Sequence, residues 1–384
     1  MKKINWDKFD NDKEALEYLK KLPRYKNNPI KSLFYRASFF FNVLKAKIFN
    51  TSCKPLLVVL VTNNGCNLKC RYCYGTYSER KEKDYTAIEL LKIIDELKEL
   101  GTNILLTHGG EILVRKDIDE IFNYAKHKGF YISVNINGFN VPNKINTLKQ
   151  LDAICISLDG REENHDKNRG KGSYKIAVEA IDLLKKNNIP VIIHSTLTKD
   201  NTEDMEYLAQ FAKDKNLRAQ YSILYKSLEA ETKFQEIILD DKEIRETVKK
   251  ILELKHKGYP VYYSDNVLET AINWPFNYNE KTCITEKDNY KKDKNLINCY
   301  HGKLKYQIDA DGRVITCWGH DYHNAPNVKE LGVKKAIEEC NKNDACRHCA
   351  FLANNEQNAF MDLGFKNFLN ILKIQVTDAL KLRK

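Results

Sequence analysis

Apolar residues recur along this chain in two alternating rhythms. Short runs rich in strand-forming residues at 56–62, 103–107, 131–135, 153–157, 191–197 and 219–223 are separated by stretches in which apolar positions return every three or four residues, at 87–100, 117–128, 174–187 and 201–214. Strands alternating with helices predict βαβ units and a parallel sheet, curled or open. Asp240–Lys257 supplies one more helix, and past Tyr259 the periodicity decays into a Lys/Asn-rich connection. Beyond it, Lys305–Cys317 reads as a β-hairpin with Asp311-Gly312 at its turn. The same Asp309-x-Asp311-Gly312 resembles the start of a calcium loop, but the later acidic ligands are missing. Leu363–Lys384 reads as a basic amphipathic closing helix.

The first fifty residues look like two helices joined by Lys21-Leu22-Pro23-Arg24, and from Lys20 to Lys54 there are nine Lys/Arg and no Asp or Glu. Lys31–Phe49 is a basic, aromatic-rich helix with two placements open to it. It can lie on an anionic membrane surface, or it can pack over the end of the main domain, as amphipathic helices usually do.

Composition narrows the class. The 384 residues, 42% hydrophobic and 30% charged, suffice for a sizeable core and exclude disordered and collagen-like chains. No apolar run reaches the roughly 18 residues of a membrane span, and the charged opening Lys2-Lys3 through Asp7 is not that of a signal peptide. The expected setting is therefore the cytoplasm, with peripheral contact at the membrane's inner face as the extension of the helix reading. Lys+Arg 63 against Asp+Glu 52 leaves 63 − 52 = +11, which suits an acidic partner. A metal-containing nucleic-acid-binding protein is the opposing class. The basic surplus alone favours it, and no base-reading module appears. Eleven cysteines in a reducing compartment point to metal or redox chemistry rather than disulfides.

The sharpest signal is Cys66-x3-Cys70-x2-Cys73, just after the first expected strand. Three thiolates so close can grip three irons of a cubane cluster and leave the fourth iron open; zinc more often draws two separated pairs. This triplet resembles that of the radical S-adenosylmethionine (SAM) superfamily, and the likeness runs over roughly residues 55–225. The resemblance implies an α/β fold, a partial (β/α)6 TIM barrel with a small C-terminal Cys-rich α+β auxiliary-cluster domain. It also implies that a 4Fe-4S cluster on Cys66, Cys70 and Cys73 chelates SAM and cleaves it to a 5′-deoxyadenosyl radical, which then abstracts hydrogen from a substrate. Tyr72 takes the aromatic position that the family packs on adenine. Thr107-His108-Gly109-Gly110-Glu111 resembles the segment that meets the SAM amino group, with Ile112 where the family usually has Pro. Ser157-Leu158-Asp159-Gly160 resembles the ribose-contacting segment. His194 and Ser195 lie on the strand that contributes SAM carboxylate and ribose contacts. Asn135 and Asn137 point to the same end of the barrel, where such enzymes place their chemistry. For His194 and Asn135 the alternative is a purely structural, hydrogen-bonded role.

The second cysteine group reads Cys299-x12-Gly312-x4-Cys317, then Cys340-x5-Cys346-x2-Cys349. Its first half resembles the opening of the SPASM and twitch subdomains that follow many radical SAM barrels, and Cys346 with Cys349 completes a four-thiolate site. This implies one auxiliary 4Fe-4S cluster. A four-cysteine zinc site fits the same spacing, and Cys340 and Cys283 leave room for a second cluster or another choice of ligands. Cys53 and Cys155 read as inert.

The resulting organisation is a basic helical segment over 1–54, the barrel over 55–258, a linker and auxiliary-cluster domain over 259–362, and the closing helix over 363–384. An anaerobic electron donor of the flavodoxin or ferredoxin type is the expected partner. For the substrate, a membrane-proximal or lipid-like molecule stands first because of the Phe-rich helix. A ribosomal peptide or protein side chain and a small sugar alcohol are the alternatives.

Overall fold

The structure, a computed structural model, describes all residues except 1–3, 52, 74, 227–234, 286, 289, 291–294, 318–323, 341–345 and 363–384. The expected closing helix thus lies outside the described residues. Two helices, α1 (Asp12–Lys20) and α2 (Pro29–Ile48), precede the first strand, as the Lys21–Arg24 break predicts.

The barrel then unfolds in order. Strand β1 (Leu57–Val61) leads through α3 (Ala87–Glu99) to β2 (Ile104–His108), and α4 (Ile118–His127) leads to β3 (Tyr131–Ile136). Next come α5 (Val141–Leu148), β4 (Ala153–Ser157), α6 (Glu162–Arg169), α7 (Ser173–Lys186), β5 (Val191–Leu197), α8 (Met205–Asp214) and β6 (Arg218–Ile223). Neighbouring strands from β1 to β6 all pair in parallel. Local chemistry sets the helix starts: Thr86 and Glu89 close a capping box on α3, and Asp240 with Glu243 does the same for α9 (Asp241–His256).

Alternation along each strand separates two layers. Val58, Leu60, Leu105, Ile132, Val134, Ile154, Ile156, Ile193 and Tyr221 point outward and are sealed under the helices. The intervening positions face the lumen of the curled sheet. At its base this face is apolar: Leu57, Val59, Ile104 and Leu106 pack against Phe39 and Val43 of α2. Helix α2 therefore crosses the bottom of the barrel and plugs it, which is the second of its two expected placements. Arg36 reaches the hydroxyl of Tyr131 at 2.9 Å and Asn42 bonds Asn103 at 2.8 Å.

After α9 come α10 (Asp265–Ile272), β7 (Cys283–Thr285), β8 (Lys305–Ile308), β9 (Val314–Ile315), α11 (Val328–Cys340), β10 (Cys346–Cys349) and α12 (Leu352–Asp362). The expected hairpin is present as antiparallel β8–β9, with Gly312 at φ 101 in its turn. It does not stand apart from the barrel. Strand β8 pairs in parallel with β1, so the sheet has eight strands in the order β6-β5-β4-β3-β2-β1-β8-β9. Helix α12 packs against β6 and α10, and Phe360 stacks on Phe39 of α2.

Candidate functional site

The cysteine loop leaves the top of β1 and is clamped to the end of β2 by backbone contact. The amide of Gly110 donates to Asn63 O at 3.0 Å and that of Glu111 to Gly65 O at 2.8 Å. A Cβ on Gly110 would lie 2.4 Å from Gly65 O and 2.8 Å from Cys66 Cβ, and one on Gly109 would lie 2.6 Å from Asn63 O. Only glycine lets the two segments meet this closely. The Asn67 side chain, on the same loop, accepts from Asn137 at 2.8 Å. Cys66, Cys70 and Cys73 are free thiols, and burial raises Cys66 to about 11.

Glu111 is buried. Its carboxylate accepts from the backbone amides of Asn137 at 2.8 Å and Leu113 at 3.1 Å, and burial outweighs these bonds and pushes its pKa to about 7. Ile112, in the family's proline position, opens a short 3-10 turn and is fully buried.

Asp159 serves the loop rather than the lumen. Its buried carboxylate accepts from the Tyr72 hydroxyl, from Arg169 Nε at 2.6 Å and Nη2 at 3.3 Å, and from the amide of Thr196 at 3.0 Å. Four donors use up the acceptor sites of a carboxylate, so the expected ribose contact is not open to it. Burial alone would raise its pKa, but the Arg169 charge and these bonds hold it below the ordinary carboxylate range. Arg169 also approaches Cys70 Sγ at 4.0 Å and lies over the Tyr72 ring at 5.4 Å. Burial raises the Cys70 thiol, and Arg169 opposes that shift. Tyr72 packs among Leu224, Ile237 and Ile238.

The remaining positions divide by strand parity. Asn135, Ser157 and His194 lie on the lumen face, Asn135 exposed and His194 bonded to Ser222 Oγ at 2.8 Å. Burial, reinforced by Arg169, lowers His194 to about 4, so it is neutral. Ser195 belongs to the other face: it is buried, and its hydroxyl donates to the carbonyl of Asp159 at 3.5 Å. Adjacent strand residues cannot both line one face, so of the expected pair only His194 does.

Five thiols gather at the C-terminal site. Cys299, Cys346 and Cys349 form a buried cluster with Cys283 packed on it, and Cys283 and Cys346 are hydrogen-bonded to each other. Strands β7 and β10 pair antiparallel with Cys349 opposite Cys283. Asn354 of α12 donates to Cys317 Sγ at 3.9 Å. Burial raises Cys299 to about 12, with Cys317 the next contributor. Cys340 is not with them. It ends α11 in the packed core beside Cys53, because the buried face of that helix turns toward the barrel. Cys283 takes the fifth place, which spacing alone leaves open between it and Cys340. Among the described residues no three His, Cys, Asp or Glu side chains converge on a single ion; a cubane instead takes its thiolates on different irons.

The model of the radical SAM superfamily matches residues 60–212, from the end of β1 into α8, and so contains the cysteine loop, the Gly109-Gly110-Glu111 clamp and Asp159. A glycyl-radical enzyme activating enzyme, so assigned, of Methanocaldococcus jannaschii is 31% identical over 166 residues, 40% of this chain and 68% of that protein. The chain belongs to the radical SAM superfamily. Fe-coproporphyrin III synthase of Methanosarcina barkeri is 30% identical over 223 residues, 55% of each chain. The chain spans about half the length of the first curated relatives it matches. Among solved structures, Streptococcus suis SuiB bound to its precursor peptide SuiA aligns with a TM-score of 0.61 at 16% identity, covering 85% of this chain and 75% of that one. That likeness bears on the fold, an α/β partial barrel of the radical SAM type. The donor set agrees with the superfamily's cofactor: three free thiols stand on one loop, tied by glycine contact to a buried carboxylate with acceptor capacity left, above a polar lumen.

Proposed function

We propose that this protein is a radical SAM enzyme in which Cys66, Cys70 and Cys73 hold a 4Fe-4S cluster. The observation that carries the reading is the Gly110 contact, which brings Glu111 and the thiol loop to one point at the mouth of the barrel. When bound, the cluster and SAM supply a 5′-deoxyadenosyl radical able to take hydrogen from an unactivated carbon. The chain's own residues do the rest. Glu111 stands ready to accept hydrogen bonds from an ammonium group, Asn135, Ser157 and His194 offer polar contacts in the lumen, and Arg169 with Asp159 keeps the loop in place. The Cys283, Cys299, Cys317, Cys346 and Cys349 group, within 259–362, is read as the site of an auxiliary 4Fe-4S cluster that receives an electron from the substrate or anchors it. A flavodoxin or ferredoxin would supply the reducing electron, and oxygen-poor cytoplasm is the setting that fits. The test is 5′-deoxyadenosine formation from SAM by anaerobically reconstituted, dithionite-reduced protein. Formation by the wild type and none by the Cys66/Cys70/Cys73→Ala variant is expected; no formation by iron-loaded wild type would overturn the reading.

Peripheral membrane contact is a second element of the proposal, favoured by one observation. Ile30, Leu33, Phe34, Phe41, Leu44 and Ile48, all on α2, are exposed on the side away from the barrel. No described helix is long and apolar enough to cross a membrane. Arg36, Lys47 and Lys31 are turned inward, to Tyr131, Asp362 and the Tyr25 ring, so Lys45 would meet anionic headgroups. Sedimentation with phosphatidylglycerol vesicles, lost in Phe34→Ser/Phe41→Ser, is the expected result. Equal sedimentation of that variant would overturn it.

A further inference from the structure

Below the cysteine loop, the lumen face of β8 carries two polar side chains that the proposed chemistry does not use. Lys305 and Gln307 are both buried and, two residues apart on one strand, point to the same side about 7 Å from each other. They pair in register with Leu57 and Val59 of β1, which in turn pair with Ile104 and Leu106 of β2. These are the apolar lumen residues above the α2 plug. On the other face of β8, Tyr306 and Ile308 join the outer core, so the parity is fixed.

Both side chains lack partners of the kind burial demands. The Lys305 ammonium makes one hydrogen bond, to Asn354 Oδ1 at 3.0 Å, and among the described residues no carboxylate pairs with it. An ammonium has three protons to donate, so two of them remain beyond the Asn354 bond. Gln307 Nε2 is buried with no hydrogen-bond partner at all. His108, at the top of β2, is held neutral by burial and by Lys305, at about 4, and brings no negative charge to the pair.

We infer that Lys305 and Gln307 form an anion subsite in the lumen that holds the carboxylate of the substrate. Two acceptor oxygens answer the spare protons of Lys305 and the unpartnered amide of Gln307, one in a charge-assisted bond and the other in a neutral one. A single cation with no arginine suits a monoanionic carboxylate better than a phosphate dianion. The placement is directional. β1 rises about 13 Å from the level of Leu57, beside Lys305, to Val61 below the Cys66 loop. On the opposite side Asn354 links Lys305 to Cys317, at 3.0 Å and 3.9 Å. A substrate held by its carboxylate at β8 therefore extends up the lumen toward the thiol triplet, with its anchored end next to the second thiol group. The subsite stands on this geometry; its role as substrate anchor rests on the enzyme reading above.

SAM also carries a carboxylate, and the test separates the two sources. Hexanoate, with hexanol as the uncharged control, is titrated calorimetrically into cluster-loaded protein, and SAM is titrated in parallel. Hexanoate is expected to bind the wild type and hexanol not to. Lys305→Met should weaken hexanoate about tenfold or more, Lys305→Arg should largely retain it, and Gln307→Leu, which leaves the charge in place, should weaken it by a smaller factor. SAM affinity should be the same in all four proteins. Hexanoate binding that is absent from the wild type, or unchanged in both Lys305→Met and Gln307→Leu, would overturn the subsite. A tenfold loss of SAM affinity in Lys305→Met would give the carboxylate to SAM and overturn the substrate assignment. If hexanoate binds through Lys305 while the wild type forms no 5′-deoxyadenosine, the enzyme reading fails and the subsite stands.

Discussion

Arg169 Nε lies 2.6 Å from the buried carboxylate of Asp159, and the same guanidinium reaches to 4.0 Å from Cys70 Sγ. One ion pair thus joins the end of β4 to the cysteine loop, with Tyr72 held between its members. Removing one partner leaves the other charge buried and unpaired. Arg169→Met should therefore lower unfolding stability by about 3–5 kcal/mol and reduce iron retained after reconstitution. Arg169→Met/Asp159→Leu should recover part of that stability without restoring iron. Urea unfolding and iron analysis of the two proteins check this, and equal stability of Arg169→Met and wild type would refute the coupling.

A second expectation follows from the glycine clamp. In Gly110→Ala the new methyl group meets Gly65 O, Asn64 O and Cys66 Cβ, all within 2.8 Å, and two of these atoms are backbone that cannot swing aside. The loop must move, so the variant should remain folded by circular dichroism but lose the brown 4Fe-4S absorbance. Gly65→Ala is the matched control. Its nearest neighbour would be Val114 at 3.5 Å, an ordinary contact, and its absorbance should match the wild type.

The strands and the main helices are legible in the sequence because βαβ units carry their periodicity locally. The thiol triplet and the Gly109-Gly110-Glu111 segment are legible for the same reason, since each is a contiguous run. What escapes is whatever depends on distant pairing. The union of β8 with β1 joins residues some 250 positions apart and leaves no local mark. Arg169 sits at the end of α6, a helix of almost wholly polar residues, and nothing in its surroundings hints at an ion pair with Asp159. Ser195 is misplaced by proximity to His194, although strand parity, applied strictly, would have divided them. Cys283 and Cys340 are indistinguishable by spacing. Only the pairing of β7 with β10 brings Cys283 to the thiol group, and only the packing of α11 takes Cys340 away.

That difference between the two cysteines can be measured. If the two cluster assignments hold, fully reconstituted protein carries about eight irons, four at each site. Cys340→Ser should leave this number unchanged and cost only the stability of a small core substitution. Cys283→Ser should alter the auxiliary site, seen as lost iron or as a changed electron paramagnetic resonance signal, while the Cys66 loop keeps its own. Identical iron content and spectra in Cys283→Ser and wild type would remove Cys283 from the site.

His165 provides a prediction independent of any cofactor. It is buried in α6, and its Nδ1 accepts the amide of Asp159 at 3.1 Å, a bond only the neutral ring can make. Burial, helped by Arg169, lowers its pKa from 6.5 to about 4, against the pull of Asp159. The unfolded chain therefore binds one more proton than the folded one between those values. Stability from this group is fully present above pH 6.5 and is lost as pH falls toward 4, about 3 kcal/mol across the window. In His165→Gln the unfolding free energy should be lower at pH 7, because the fit around Asp159 is disturbed. Its dependence on pH between 4 and 6.5 should be shallower than that of the wild type by the contribution of one proton. Parallel slopes for the two proteins would mean that His165 is protonated in the fold, and the hydrogen bond to the Asp159 amide could not then exist.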